Sequence, residues 1–193
     1  TQQETASNEI SVSQTDSHYP VTVESYNYAG DVVTTTYEKA PERVIAVYQG
    51  SIETMLALGL EEHVVASYGL DNAVKEEWED GLSKMNYHEE VFAPSKEDVM
   101  MLEPDMIFSW GSLFGEKKLG DVDQWISRGT NTYINTNTRA GGYDRTLEHE
   151  YTDILNIGKI FDVEEKAQAL VDEMKQEIED ALAKTKGKEA QTV

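Results

Sequence analysis

The chain has 193 residues and carries 16 Lys and Arg against 37 Asp and Glu, a net charge of −21, with 39% of its residues hydrophobic. That length holds one domain of roughly 150 residues, or one lobe with attached pieces, and the apolar fraction suits a packed core. The charge excludes a nucleic-acid binder, which needs a basic face; no apolar run reaches the ~20 residues of a bilayer span; and the absence of cysteine excludes disulfides, thiolate catalysis and zinc–thiolate sites.

Residues 1–18 are rich in Gln, Ser, Thr and acids, with Ile10 and Val12 isolated among them, and cannot bury enough surface to offset ordering entropy. They read as a disordered tether. The chain opens at Thr1 rather than at a methionine, which points to a leader or upstream segment having been removed. From Tyr19 the residues alternate through Val21 and Val23, turn at Ala29-Gly30-Asp31 and resume from Val32 to Tyr37, the pattern of a β-hairpin.

Four short apolar runs follow, at Val44–Tyr48, Val64–Tyr68, Met106–Trp110 and Thr132–Asn135, alternating with helical patterns at Ser51–Leu58, Asn72–Gly81, Ser95–Leu102 and Glu116–Arg128. Alternating strands and helices predict a three-layer α/β/α lobe around a mainly parallel sheet, here spanning residues 19–162. Leu147 to Phe161 carries one further helical stripe. Another, starting in a capping-box-like Asp162 with Glu165 three residues on, runs from Val163 to Thr185, about 35 Å at 1.5 Å per residue. Residues 186–193 end in Thr192-Val193, which reads as the first step into a further strand and hence a second lobe outside this chain.

In an open parallel sheet, ligands bind beyond the carboxyl ends of the strands. The residues delivered there are Tyr48-Gln49-Gly50-Ser51, Tyr68-Gly69, Trp110-Gly111 and Asn135 to Arg139, with Gly142-Tyr143 close behind. The candidate ligand-binding set is therefore Tyr48, Gln49, Tyr68, Trp110, Asn135, Arg139 and Tyr143, an aromatic-walled bowl suited to a large, partly apolar ligand. Arg139 and Arg145 could pair with an anionic ligand or equally with nearby acids. Core completion is the alternative for each aromatic.

Enzymatic readings find little. Ser51 lacks the second glycine of a nucleophile elbow, and no loop matches GxGxxG or GxxxxGKS. His18, His63, His88 and His149 are scattered, and the His88-Glu89-Glu90 and Glu148-His149-Glu150 runs lack metal-ligand spacing, so neither a catalytic residue, a metal nor a cofactor is expected.

Several motifs carry a family resemblance. Ala40-Pro41-Glu42-Arg43-Val44-Ile45-Ala46-Val47-Tyr48 with Glu53-Thr54-Met55-Leu56-Ala57-Leu58-Gly59-Leu60, then Pro94-Ser95-Lys96-Glu97-Asp98-Val99 with Leu102-Glu103-Pro104-Asp105-Met106-Ile107, then Ile154 to Phe161 with Glu164-Glu165-Lys166-Ala167, resemble substrate-binding proteins of iron-siderophore, haem and cobalamin ABC importers. The likeness covers about residues 19–185. It implies two α/β lobes joined by one rigid helix, here residues 163–185, with an iron chelate held between them, and a monomer without enzymatic activity. It also implies export to the cell surface of a Gram-positive bacterium, with a lipid anchor outside this chain. An acid on each lobe would meet arginines of the permease, and the matching position is Glu97; Glu53 is a similarly placed acid nearer the bowl. Haem or cobalamin is the alternative ligand, and a nucleotide-binding doubly wound domain the alternative function.

Overall fold

The computed structural model describes residues 18–141 and 144–190. Val21–Tyr26 (β1) and Val32–Tyr37 (β2) form the antiparallel hairpin, in register from Val21 opposite Tyr37 to Tyr26 opposite Val32. Its turn needs Gly30, at φ 91, where a Cβ would fall 2.3 Å from the Ala140 carbonyl oxygen. Four parallel strands, Val44–Val47 (β3), Val64–Tyr68 (β4), Met106–Ser109 (β5) and Asn131–Ile134 (β6), lie in the order β4-β3-β5-β6.

Strand periodicity divides the core into two layers. Val44, Ala46, Met106, Phe108 and Tyr133 face one side, where Gln49–Ala57 (α1), Leu147–Ile160 (α5) and the start of Glu164–Ala190 (α6) cover them. Ile45, Val47, Ile107 and Ile134 face the other, under Lys96–Leu102 (α3), the 3-10 turn Gly111–Phe114 and Val122–Ile126 (α4). The hairpin guards the open edge of β6: the Ile134 amide donates to Ser25 Oγ (2.9 Å) and Asn131 Nδ2 donates to the Thr36 carbonyl (2.9 Å).

The motifs behind the family resemblance prove to be joints. The Asp105 carboxylate accepts the amides of Glu42 (2.8 Å) and Arg43 (2.9 Å), while Arg43 Nη2 donates to the Leu102 carbonyl (2.6 Å), so the starts of β3 and β5 lock each other at the amino edge of the sheet. Gly158 lets α5 cross α6 closely, since a Cβ there would sit 2.4 Å from Ala167 Cβ.

Three helix boundaries differ from expectation. The 72–81 segment is a 3-10 turn at Glu76–Trp78 followed by the short helix Glu79–Ser83 (α2), because the amides of Asp71 and Asn72 are engaged by Gln49 Oε1 instead of starting a helix. The 116–128 helix shrinks to α4: Gly120, at φ 80, breaks the chain and Asp121 caps α4 through the Val122 amide (2.7 Å). The long helix starts at Glu164, with Asp162 at φ 56 facing His18, and continues to Ala190, so it reaches about 40 Å and residues 186–190 are helical. Thr192 and Val193 lie outside the described residues.

Gly158→Val should destabilise the fold by about 1–3 kcal/mol, through the clash with Ala167. Urea denaturation of the two proteins measures the difference, and Ala167→Gly in the same chain should recover part of it.

Candidate functional site

Tyr48 follows β3 directly and is the N-cap of α1, at φ 102 and ψ 148, a backbone region nearly confined to glycine. Such a conformation costs on the order of 1–3 kcal/mol in a bulky residue and persists only where the surroundings impose it. The Tyr48 ring lies over Gly50, whose absent Cβ would be 3.1 Å from Tyr48 Cε1. On its far side the ring meets Trp110 edge-on, centroids 6.0 Å apart, and Trp110 in turn meets the exposed ring of Phe92, again at 6.0 Å. Gly69, at φ 87, makes the approach possible: a Cβ there would be 3.2 Å from the Tyr48 amide nitrogen and 3.4 Å from Trp110 Cζ3. Tyr48, Trp110 and Phe92 thus form an aromatic ridge at the carboxyl edge of the sheet.

On the other side of Tyr48 opens a cavity of about 520 Å³. Its walls are α1 through Glu53 and Thr54, the 75–78 segment through Lys75 and Trp78, the 135–138 loop, α5 through Glu150 and Ile154, and α6 through Leu170 and Met174. Asp153 belongs to its lining although it is 5% exposed. Its carboxylate accepts from the Tyr133 hydroxyl (2.8 Å) and from the Thr136 amide (2.9 Å) and hydroxyl (2.5 Å), which fastens α5 to the end of β6. Burial pushes its pKa up to about 6, against the lowering effect of those hydrogen bonds. Glu150 is also raised, first by burial and then by the charge of Glu53. Among the described residues no group of His, Asp or Glu has the arrangement of a metal site.

The family model for periplasmic binding proteins matches residues 44–193. The chain belongs to the periplasmic binding protein family. A periplasmic binding protein from Veillonella parvula is 34% identical and superposes with a TM-score of 0.80 over 88% of this chain and 54% of its own length. A protein of an Fe3+-hydroxamate transport system from Saccharomonospora viridis (23% identity, TM-score 0.63, 82% and 54% covered) and a periplasmic haem-binding protein from Vibrio cholerae (24%, 0.54, 74% and 49%) share the fold. The chain therefore spans about half the length of these relatives. No curated protein matches it.

Within this periplasmic binding protein lobe, the residues expected at the bowl divide into separate tasks. Tyr48 and Trp110 meet at the carboxyl edge, and Asn135 joins Tyr48 at the cavity. Tyr68 is 3% exposed and stacks on His88 at 4.5 Å, so its ring completes the core behind the ridge instead of lining a ligand surface. Gln49 donates to Glu53 (2.7 Å) and accepts the Asp71 and Asn72 amides, which makes it a clamp on the loop after β4. Asn135 is 7% exposed and donates to Ser51 Oγ (2.8 Å) and the Ser109 carbonyl (3.1 Å), joining the ends of β5 and β6 to the first turn of α1. Arg139 turns to the hairpin, its guanidinium 5.1 Å from the Tyr26 ring centre. Tyr143 lies outside the described residues. Glu97 is exposed in the first turn of α3, at the same edge.

Sequence reasoning missed Phe92, Trp78, Glu150 and the α6 acids Glu173 and Glu177 as residues of this edge. Phe92 sits in an irregular loop with no periodicity to flag it. The others lie on helical patterns that mark which face is apolar but not which helices meet.

Because the Asp153 pKa is raised from its ordinary 3.8, the folded protein holds a proton between about pH 4 and 6 that the unfolded chain has released. The stability this group contributes is fully present below about pH 4 and is lost as pH rises through about 6. Relative to the wild type, Asp153→Asn should remove a decline on the order of 2–3 kcal/mol between pH 4 and 7. Denaturation midpoints measured across that range check it; parallel profiles would mean that Asp153 titrates as an ordinary carboxylate.

Proposed function

We propose that this chain is the N-terminal lobe, with the interlobe helix, of an extracytoplasmic solute-binding component of an ABC importer that captures a ferric siderophore or related iron chelate. The observation that carries this reading is the strained Tyr48, held with Trp110 and Phe92 at the carboxyl edge beside a cavity. Rigid aromatic faces supply contact area to a bulky, partly apolar chelate at low entropic cost. No chemistry is required of the site; the lobe binds and releases. Membership of the periplasmic binding protein family supports location outside the cytoplasm.

In this reading a second lobe follows α6 and closes over the ridge. A lipid anchor outside this chain would hold the protein at the membrane of a Gram-positive cell, and Glu97 would dock on arginines of the permease. The exposure of Glu97, without an ion-pair partner among the described residues, supports that role. Haem or cobalamin would suit the same aromatic ridge. A nucleotide is less well served, since the first turn of α1 presents Tyr48-Gln49-Gly50-Ser51 where a phosphate needs a glycine-rich loop.

A panel of ferric hydroxamates, ferric catecholates, haem and cobalamin, titrated into the protein and followed by tryptophan fluorescence, tests the reading. An iron chelate should quench Trp110. Tyr48→Gly should weaken that ligand about tenfold or more, near 1.4 kcal/mol, while stability holds, because relief of the backbone offsets the lost ring contacts. A variant that binds as the wild type does would remove Tyr48 from the site. Glu97→Ala should reduce transport by the assembled importer and leave chelate affinity unchanged; loss of ligand binding instead would refute the docking role.

A further inference from the structure

The three rings of the ridge are not equally supported. Tyr48 is fixed by the sheet, since its amide donates to the Tyr68 carbonyl (2.9 Å), and Trp110 directly follows β5. Phe92 belongs to no helix or strand: it stands 55% exposed between a bridge to β4 at Tyr87 and the N-cap of α3 at Ser95. A side chain so placed keeps its 6.0 Å contact with Trp110 only if the chain before it is held.

What holds it is a clip on the outer edge of β4. Ser67 donates through its hydroxyl to the Met85 carbonyl (3.0 Å) and through its amide to the Asn86 carbonyl (3.3 Å), and its own carbonyl accepts the His88 amide (2.9 Å). Tyr87 is thereby bridged parallel to β4, and its hydroxyl accepts the Leu70 amide (3.2 Å). Asn86 takes φ 46, a left-handed conformation that asparagine tolerates.

His88 ends the clip, and its ring lies flat on Tyr68, centroids 4.5 Å apart and planes 7° from parallel. Its Nδ1 is 3.1 Å from Glu90 Oε1 and its Nε2 is 3.4 Å from Asn86 Nδ2. With its proton on Nδ1 the ring donates to Glu90 and accepts from Asn86, whose amide group also donates to the Val65 carbonyl (3.2 Å). Water competes for the exposed Glu90 contact, whereas the stacked faces exclude it, so stacking is the part of the arrangement that resists displacement. Beyond His88 the chain passes Gly69, where a Cβ would lie 3.2 Å from the Phe92 carbonyl oxygen.

We propose, resting on the reading of the ridge as the ligand surface, that His88 is a positioning residue for ligand binding: its ring, stacked on Tyr68, fixes the chain from which Phe92 stands against Trp110 before a ligand arrives. Tyr48 and Trp110 are set by the sheet, and the outer end of the aromatic wall is set by a residue that itself touches no ligand. Holding Phe92 in place beforehand removes its ordering entropy from the binding step.

The test begins without ligand, on the full chain carrying Trp78→Phe, so that near-ultraviolet circular dichroism and fluorescence report Trp110 and the buried Trp125. Phe92→Ala gives the signature of Trp110 without its neighbour. His88→Ala should reproduce most of that change and add nothing in the Phe92→Ala background. His88→Phe, which keeps a ring on Tyr68, should retain the original signal, and so should Tyr87→Phe, which removes a bond of the same segment and leaves the stack. A ferric trihydroxamate, a ferric tricatecholate and haem are then titrated. His88→Ala should weaken the probe that binds by about threefold or more, and by nothing further once Phe92 is replaced. Urea midpoints verify that each variant is folded.

An unchanged spectrum for His88→Ala, effects that add in the double variant, or the same change from Tyr87→Phe overturns the positioning role and leaves the ligand reading in place. A His88→Phe variant that behaves as the alanine variant overturns it too, since stacking would not be the means. If no probe binds the unsubstituted chain, the ligand reading falls, and the spectra still decide whether His88 places Phe92.

Discussion

Everything in this lobe follows from the burial of β3 on both faces. Its residues Val44 to Val47 are all 0% exposed, with β4 and β5 hydrogen-bonded on either side. A strand so enclosed cannot take part in recognition except through its ends. Covering both faces requires helices on each, and parallel pairing requires that those helices return the chain to the same starting edge. The amino edge is therefore where connections are tied and the carboxyl edge is where loops are released.

The two edges are built with opposite economies of conformation. At the amino edge Asp105 satisfies two amides of the β3 entry and Arg43 caps the carbonyls at the end of α3, so the polar groups exposed by the crossover are paired. At the carboxyl edge Tyr48 occupies a disfavoured backbone region, and Gly69 must remain without a side chain for Trp110 to reach it. Strain concentrated at one rim, above a sheet locked at the other, is the arrangement expected when a binding surface is held in place before its ligand arrives. The clamps by Gln49 and Asn135 belong to this arrangement: they hold the loops that carry the rings.

Charge does different work in different places. The net −21 of the chain keeps it soluble and says nothing of its fold. Acids from α1, α5 and α6 line one recess, and there the charge of Glu53 together with partial burial raises the pKa of Glu150. Glu97, in the first turn of α3, is open to solvent instead.

The sequence by itself determined the class of fold, the hairpin, the four parallel strands and the long final helix. Those are consequences of local periodicity, of turn residues such as Gly30 and of the motifs at Arg43, Asp105 and Gly158, each legible within a short window. Only the tertiary structure decided that Tyr68 lies behind the ridge, that Gln49 and Asn135 clamp loops, and that Phe92 joins Trp110. It likewise set Glu53 of α1 around one cavity with Glu150 and Glu173 of the consecutive helices α5 and α6, about a hundred residues further along the chain. A pattern of period 3.6 states which side of a helix is apolar; the crossing that turns its polar flank toward another helix depends on contacts such as Gly158 against Ala167, whose partners no single window contains.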